Sequence, residues 1–294
     1  MAFPVHLLIP LACAFTYVVA ALMFKRAAEI GVGVWRTTFV ANWTLGLVFL
    51  PLWLAGRPVV DWHLYWQPAT TAALFLVGQA MVFLALKHGD VSVTTPVMGT
   101  KVIMVALFTT LLRAGDTPLR WWIGAGLSAA AVLLLHLGKT ARGQQRVGRT
   151  VLLAWTSAAC YGLSDVLIQK WAPSWGFSAF GPAMFAWSAF YSLALIPAFS
   201  APLRAMSGEA WRWVGGGSLL MALNNAGIVL TIGVWGGATA VNIVFSARGL
   251  VSVLAVWAVG HWFKSQEQHL EPAVLRLRLA GAALMLAAIV LVLV

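Results

Sequence analysis

Charge is what this sequence has least of. Asp, Glu, Lys and Arg make up 9% of its 294 residues, against 61% hydrophobic residues and a mean hydropathy of +0.88. A soluble domain of this length covers itself with ionised side chains, and that class is excluded. The bilayer has to be the solvent. Acidic residues are scarcer still, 8 against 19 Lys and Arg, for a net charge of +11. In a soluble chain that excess would suit nucleic acid. Here it lies mostly between apolar runs, where it sets orientation, and no nucleic-acid partner is expected. Outside the runs the carboxylates (Glu29, Asp61, Asp90, Asp116, Glu209, Glu267, Glu271) are scattered, which argues against a membrane enzyme that modifies lipid. There are only two cysteines, Cys13 and Cys160, both inside apolar runs, so there is neither a disulfide framework nor a ligand cluster. His136 has no partner at ligand spacing, so neither metal nor cofactor is expected. A Gly-x-x-x-x-Gly-Lys-Ser/Thr loop is missing too, which excludes a pump with its own ATPase.

What is present is a series of apolar runs long enough to cross ~30 Å of hydrocarbon. They fall at 5–24, 35–55, 66–86, 91–112, 119–138, 150–170, 180–201, 213–235, 238–260 and 276–294, predicting an all-α polytopic protein with ten transmembrane helices. The N-terminus carries no basic residue before its apolar stretch, and Lys25-Arg26 follow it. That polarity predicts a retained first helix rather than a signal peptide. Trp35, Trp53, Trp62, Trp66, Trp121, Trp122, Trp211 and Trp262 stand near run ends, as interfacial belts require.

The runs repeat. Lys25 and Lys170 close the first and sixth, 145 residues apart; Pro51 and Pro197 are 146 apart. Gly89 and Gly236, then Lys101 and Arg248, recur at 147, and Gly124-Ala125-Gly126-Leu127 recurs as Gly281-Ala282-Ala283-Leu284 at 157, after extra residues around 266–273. This predicts two five-helix repeats, 1–138 and 150–294, joined by a basic connection at 139–149. An odd number of helices per repeat turns the second copy upside down. Loops after the odd-numbered helices hold thirteen Lys or Arg and the opposite side holds four, Arg57, Arg113, Arg120 and Lys170. The positive-inside rule then puts both termini outside.

With Lys closing the first helix of each half, Arg36 opening the second, Pro96 early in the fourth, and Gly124 and Gly126 in a fifth that continues to Val132-Leu133-Leu134, the chain resembles the drug/metabolite transporter superfamily, in its ten-helix EamA-like branch. The resemblance covers essentially the whole chain. It implies a secondary transporter, of the exporter type, for amino acids or related small metabolites. Alternating access through a central cavity in a bacterial inner membrane would be its mechanism. Basic residues on helices four and nine of relatives that handle phosphate or sugar nucleotides match Lys101 and Arg248. Two features depart from the pattern. Many ten-helix members keep both termini in the cytoplasm. The membrane-embedded Glu of the small multidrug branch is replaced by Tyr17 and Gly162, so that drug-efflux mechanism is not carried over.

Lys101 and Arg248 are each the eleventh residue of their run, roughly 15 Å from either end at ~1.5 Å per residue. Neither can snorkel that far, and an ionised side chain at the bilayer centre costs at least ~2.5–3.5 kcal/mol. A water-filled cavity, an anionic substrate or a counter-charge must compensate. Asp165, the one acidic residue well inside a run, is either a protonatable coupling group or the partner of one of these cations. Asn224 and Asn225 in the eighth run, Asn42, Gln79, and Asn242 with Ser246 need inward-facing partners: a substrate or one another. Tyr17, Trp43, Tyr161, Trp187 and Tyr191 lie away from run ends and either line a cavity or pack the bundle. The partners expected are a small solute, a proton or exchanged solute, and lipid; no oligomer is required.

Overall fold

The structure, a computed structural model, describes residues 4–56, 61–88, 91–136, 147–259 and 272–293. Among them all regular structure is helical: α1 Leu8–Glu29, α2 Val34–Gly56, α3 Trp66–His88, α4 Val91–Gly99, α5 Lys101–Leu111, α6 Leu119–His136, α7 Val147–Trp175, α8 Phe177–Ser192, α9 Gly208–Trp235, α10 Ala238–Phe245, α11 Arg248–Val259 and α12 Pro272–Leu293. Eight helical stretches are long and apolar enough to cross a membrane, and Leu119–Leu135 and Ala238–Ser252 are shorter apolar ones. The architecture is that of a multi-pass membrane protein. Large apolar side chains point outwards, with Leu47, Leu54, Leu111, Leu152 and Leu279 all more than 60% exposed. In water such a surface would aggregate; against acyl chains it costs nothing.

Where the helices differ from the apolar runs, local chemistry gives the reason. The run at 91–112 is two helices that part at Thr100, and the run at 238–260 parts at Ser246-Ala247. Pro96 removes a backbone donor from α4. Beyond it, both the amide and the hydroxyl of Thr100 donate to the Val97 carbonyl, at 3.1 and 2.7 Å, which tightens that turn. Ser246 does the same towards Ile243, and the amides of Ala247 and Gly249 also reach back only three residues. The run at 180–201 is α-helical only to Ser192. A 3-10 stretch, Leu193–Ala198, finishes it and contains Pro197. Helix α7 begins at Val147, three residues inside the expected connection, and extends to Trp175. Arg57, Gly89, residues 137–146, Trp262 and residues 266–271 lie outside the described residues.

Side-by-side packing pairs α1 with α9, α3 with α7, α2 with α8 and α6 with α12; α4 and α5 lie on α7, while α10 and α11 lie on α1. Small residues set the closest approaches. A Cβ on Gly281 would meet the Ala131 carbonyl oxygen at 3.0 Å, and one on Gly124 would meet Ile243 at 3.2 Å, so both positions hold α6 against its neighbours. Buried hydroxyls such as Thr38, Thr71, Thr109 and Thr231 donate to the carbonyl four residues earlier on their own helices, which satisfies them without water.

Candidate functional site

Each break is followed directly by a cation. Lys101 is the first residue of α5 and Arg248 the first of α11. The two breaks therefore put a basic side chain in the middle of an apolar span.

Lys101 turns to α7. Its Nζ lies 2.8 Å from Asp165 Oδ2, and both side chains are nearly buried, 13% and 12% exposed. The same carboxylate oxygen accepts from Asn242 Nδ2 at 2.8 Å, on α10. Asn242 also donates to the Ala238 carbonyl at 2.9 Å. The ammonium stands 5.7 Å from the centre of the Tyr161 ring, one turn before Asp165 on α7. Helix α7 thus presents an aromatic face and a carboxylate to one cation, which satisfies it in hydrocarbon.

Arg248 turns to α1. Its guanidinium carbon lies 4.7 Å from the Tyr17 ring centre and 4.5 Å from that of Phe245. Those rings meet edge to face at 5.8 Å. Among the described residues no carboxylate lies within ion-pair distance of Arg248. The remaining described acids, Glu29, Asp61, Asp116 and Glu209, stand at helix ends or in connections. Asn242, which reaches Asp165, and Phe245, which packs on Arg248, stand one turn apart on α10 and bring the two cations to one region. Lys101, Asp165, Arg248, Tyr17 and Tyr161 form one electrostatic cluster between α1, α5, α7 and α11.

Other expected site residues are held elsewhere. Asn42 is 1% exposed and fully engaged: its Nδ2 donates to Gln79 Oε1 and the Thr38 carbonyl, both at 2.9 Å. Its Oδ1 accepts from Ser188 Oγ at 2.6 Å. Asn42 and Gln79 thus tie α2, α3 and α8 together. Asn225 Nδ2 donates to the Met221 carbonyl at 2.9 Å. Asn224 is 3% exposed, and its Oδ1 has no partner among the described residues, an acceptor left for something else to fill. Trp43 is 41% exposed on the outside of α2 against Phe39. Its position corrects the expectation that it faces a cavity: the ring is amphipathic enough to stay at the lipid boundary. Trp187 does line a cavity of about 440 Å³, but this one lies between α2 and α8, beside Gly46, Trp53, Tyr65 and Phe190, and contains neither cation.

At the bundle end where α5 and α7 finish and α10 starts, Gln169 makes a clasp that sequence reasoning missed. Its Nε2 donates to the Ala114 carbonyl at 2.9 Å, and its Oε1 accepts from the Ala238 amide at 2.6 Å. Beside it Lys170 donates to the Leu112 carbonyl at 3.0 Å and caps α5. The same end carries an aromatic belt of Trp53, Tyr65, Trp66, Trp171 and Trp175. The available signal was an amide beside a run-ending Lys. Phe245, the second wall of Arg248, gave none, because a Phe in an apolar run is unremarkable by pattern. Among the described residues no group of three His, Cys, Asp or Glu comes together to hold a metal ion.

No family model matches the chain, and no curated protein matches it. Among solved structures, one described only as "Crystal structure of protein" superposes with a TM-score of 0.76 over 99% of this chain and 96% of that one, at 16% identity. At that identity the likeness is one of fold, and it extends over the whole length of both chains.

Proposed function

We propose that the protein is a secondary carrier for small organic solutes that bear an anionic group, organic acids and related metabolites among them, working by alternating access. The observation that carries this is Arg248: a cation deep in an apolar span, stacked on rings but facing no carboxylate among the described residues. Structure alone gives no reason to keep an unpaired cation at that depth, and a bound anion does. Beside it Asp165 holds Lys101 in an ion pair, and Asn224 supplies the free acceptor for a polar substituent. The 2.8 Å geometry favours a lasting Lys101–Asp165 pair; a Lys101 that parts from Asp165 to share the anion, with Asp165 then carrying the proton, is the competing reading.

Ten spans in two inverted five-helix repeats make up the architecture of this proposal. Exchanging spans one to five with six to ten maps the packing onto itself: α1 on α9 becomes α7 on α3, α4–α5 on α7 becomes α10–α11 on α1, and α2–α8 and α6–α12 return to themselves. Breaks directly before Lys101 and Arg248 follow the same exchange. A half-turn about an axis in the membrane plane is expected to superpose the halves; an axis along the membrane normal would refute the arrangement. The charge bias further puts the Gln169 end outside, in what we take to be a bacterial inner membrane.

Purified protein screened by thermal shift against amino acids, organic acids, phosphorylated metabolites and lipophilic cations tests the function. Selective stabilisation by anion-bearing solutes, followed by their uptake into liposomes, is expected. Stabilisation by lipophilic cations alone would replace this function with drug efflux.

A further inference from the structure

Taking the anion-binding role of Arg248 as its premise, we infer that the site selects its ligand by net charge: it takes monovalent anions in preference to zwitterions and dianions, and Asp165 sets that valence. Two cations and one carboxylate meet between α1, α5, α7 and α11. Lys101 and Asp165 cancel at 2.8 Å, and the amide N–H of Asn242 on the same oxygen suits the carboxylate form. What remains is the single positive charge of Arg248. The faces of Tyr17 and Phe245 at 4.7 and 4.5 Å attract a cation but carry no charge with which to neutralise it.

The position on α1 that corresponds to Asp165 carries no second carboxylate. Counting back 145 positions from Asp165, the spacing of Lys170 from Lys25, gives Ala20 on α1. In a low-dielectric span the loaded site is cheapest at overall neutrality. A monocarboxylate brings the cluster to zero. A dicarboxylate leaves one negative charge unmatched, and a zwitterion leaves the positive charge unmatched and sets an ammonium beside two cations. The two rings against the guanidinium leave its edge for a bidentate carboxylate.

Two skeletons, each carried through three net charges, supply the test at pH 7.5: butanoate, 4-aminobutanoate and succinate, then benzoate, 4-(aminomethyl)benzoate and terephthalate. Affinity is read from tryptophan fluorescence of the purified full chain. The monoanion of at least one skeleton is expected to bind tenfold or more tighter than its zwitterion and its dianion. Asp165→Asn raises the site to two positive charges and is expected to reverse the order, with the dianion tightest. The double variant Lys101→Met with Asp165→Asn keeps a single charge, contains no orphaned partner if Asp165→Asn alone folds poorly, and is expected to retain the monoanion preference. Arg248→Gln is expected to weaken the monoanion tenfold or more. A wild type that favours the dianion or zwitterion, or a double variant that does, overturns the inference while leaving the anion carrier standing. So does monoanion binding unchanged in Arg248→Gln. Absence of binding by any of the six overturns the carrier as well.

Discussion

Lys101 and Arg248 each begin the second piece of a broken helix, and each lies across from the first helix of the other half of the chain. There the likeness ends. Helix α7 answers Lys101 with Asp165 at 2.8 Å, whereas α1 answers Arg248 with the ring of Tyr17 at 4.7 Å. One break therefore holds a closed electrostatic circuit and the other an open one. The difference teaches that depth in the membrane does not by itself mark a binding residue. A buried cation with a carboxylate is satisfied by its own fold, and one without it is satisfied by something that arrives.

The sharpest way to break this comparison is to remove one partner at a time. Lys101→Met strands Asp165, and Asp165→Asn strands Lys101, so each is expected to cost ~3–5 kcal/mol, seen as lost expression and a lower Tm in detergent. Combining Lys101→Met with Asp165→Asn is expected to recover most of that loss. Arg248→Met strands no acid, so its stability is expected to stay within ~1 kcal/mol of wild type while uptake into liposomes falls to background. Equal destabilisation by Lys101→Met and Arg248→Met would erase the distinction. Normal uptake by a stable Arg248→Met protein would remove that residue from the site.

A smaller effect is expected at the clasp. Gln169→Leu leaves the Ala114 carbonyl and the Ala238 amide without their side-chain partner, for about 1–3 kcal/mol. If the clasp closes that end of the bundle, a cysteine at Thr117 should react faster with an aqueous thiol reagent in Gln169→Leu than in the same background with Gln169 intact. Unchanged reactivity would make Gln169 a packing residue only. Smallest in energy, because its positions are exposed, is the test of which end is outside. Asp61→Cys and Asp116→Cys are expected to label from the external medium in intact cells, and Glu29→Cys and Glu209→Cys only after permeabilisation. The reverse pattern would invert the assigned orientation.

Membrane residence was legible throughout, because the hydrocarbon thickness demands long apolar runs and charge cannot be afforded between their ends. The helical class followed, since a helix satisfies its own backbone in lipid. The breaks were half legible. Pro96 announces one, but the hydroxyl bonds of Thr100 and Ser246 are of a kind that Thr16 also makes inside an unbroken helix, so nothing in the residue type marks a break there. Among candidate residues, Lys101, Asp165, Arg248 and Tyr161 were found by depth alone and do come together. Asn42 and Gln79 were found by the same rule and satisfy each other instead.

By itself, then, the sequence determined the solvent, the helical class and the three ionisable groups buried at mid-span, because transfer free energy depends on residue type and position along a run. Which cation takes the carboxylate, which amides are spent on one another, and where Gln169 fastens were decided only by tertiary structure. Lys101 and Asp165 are 64 residues apart in the chain. Partnership at that separation depends on how α5, α7 and α10 pack, and on the rotation each helix adopts about its own axis, which an all-apolar surface leaves undetermined until its neighbours close around it.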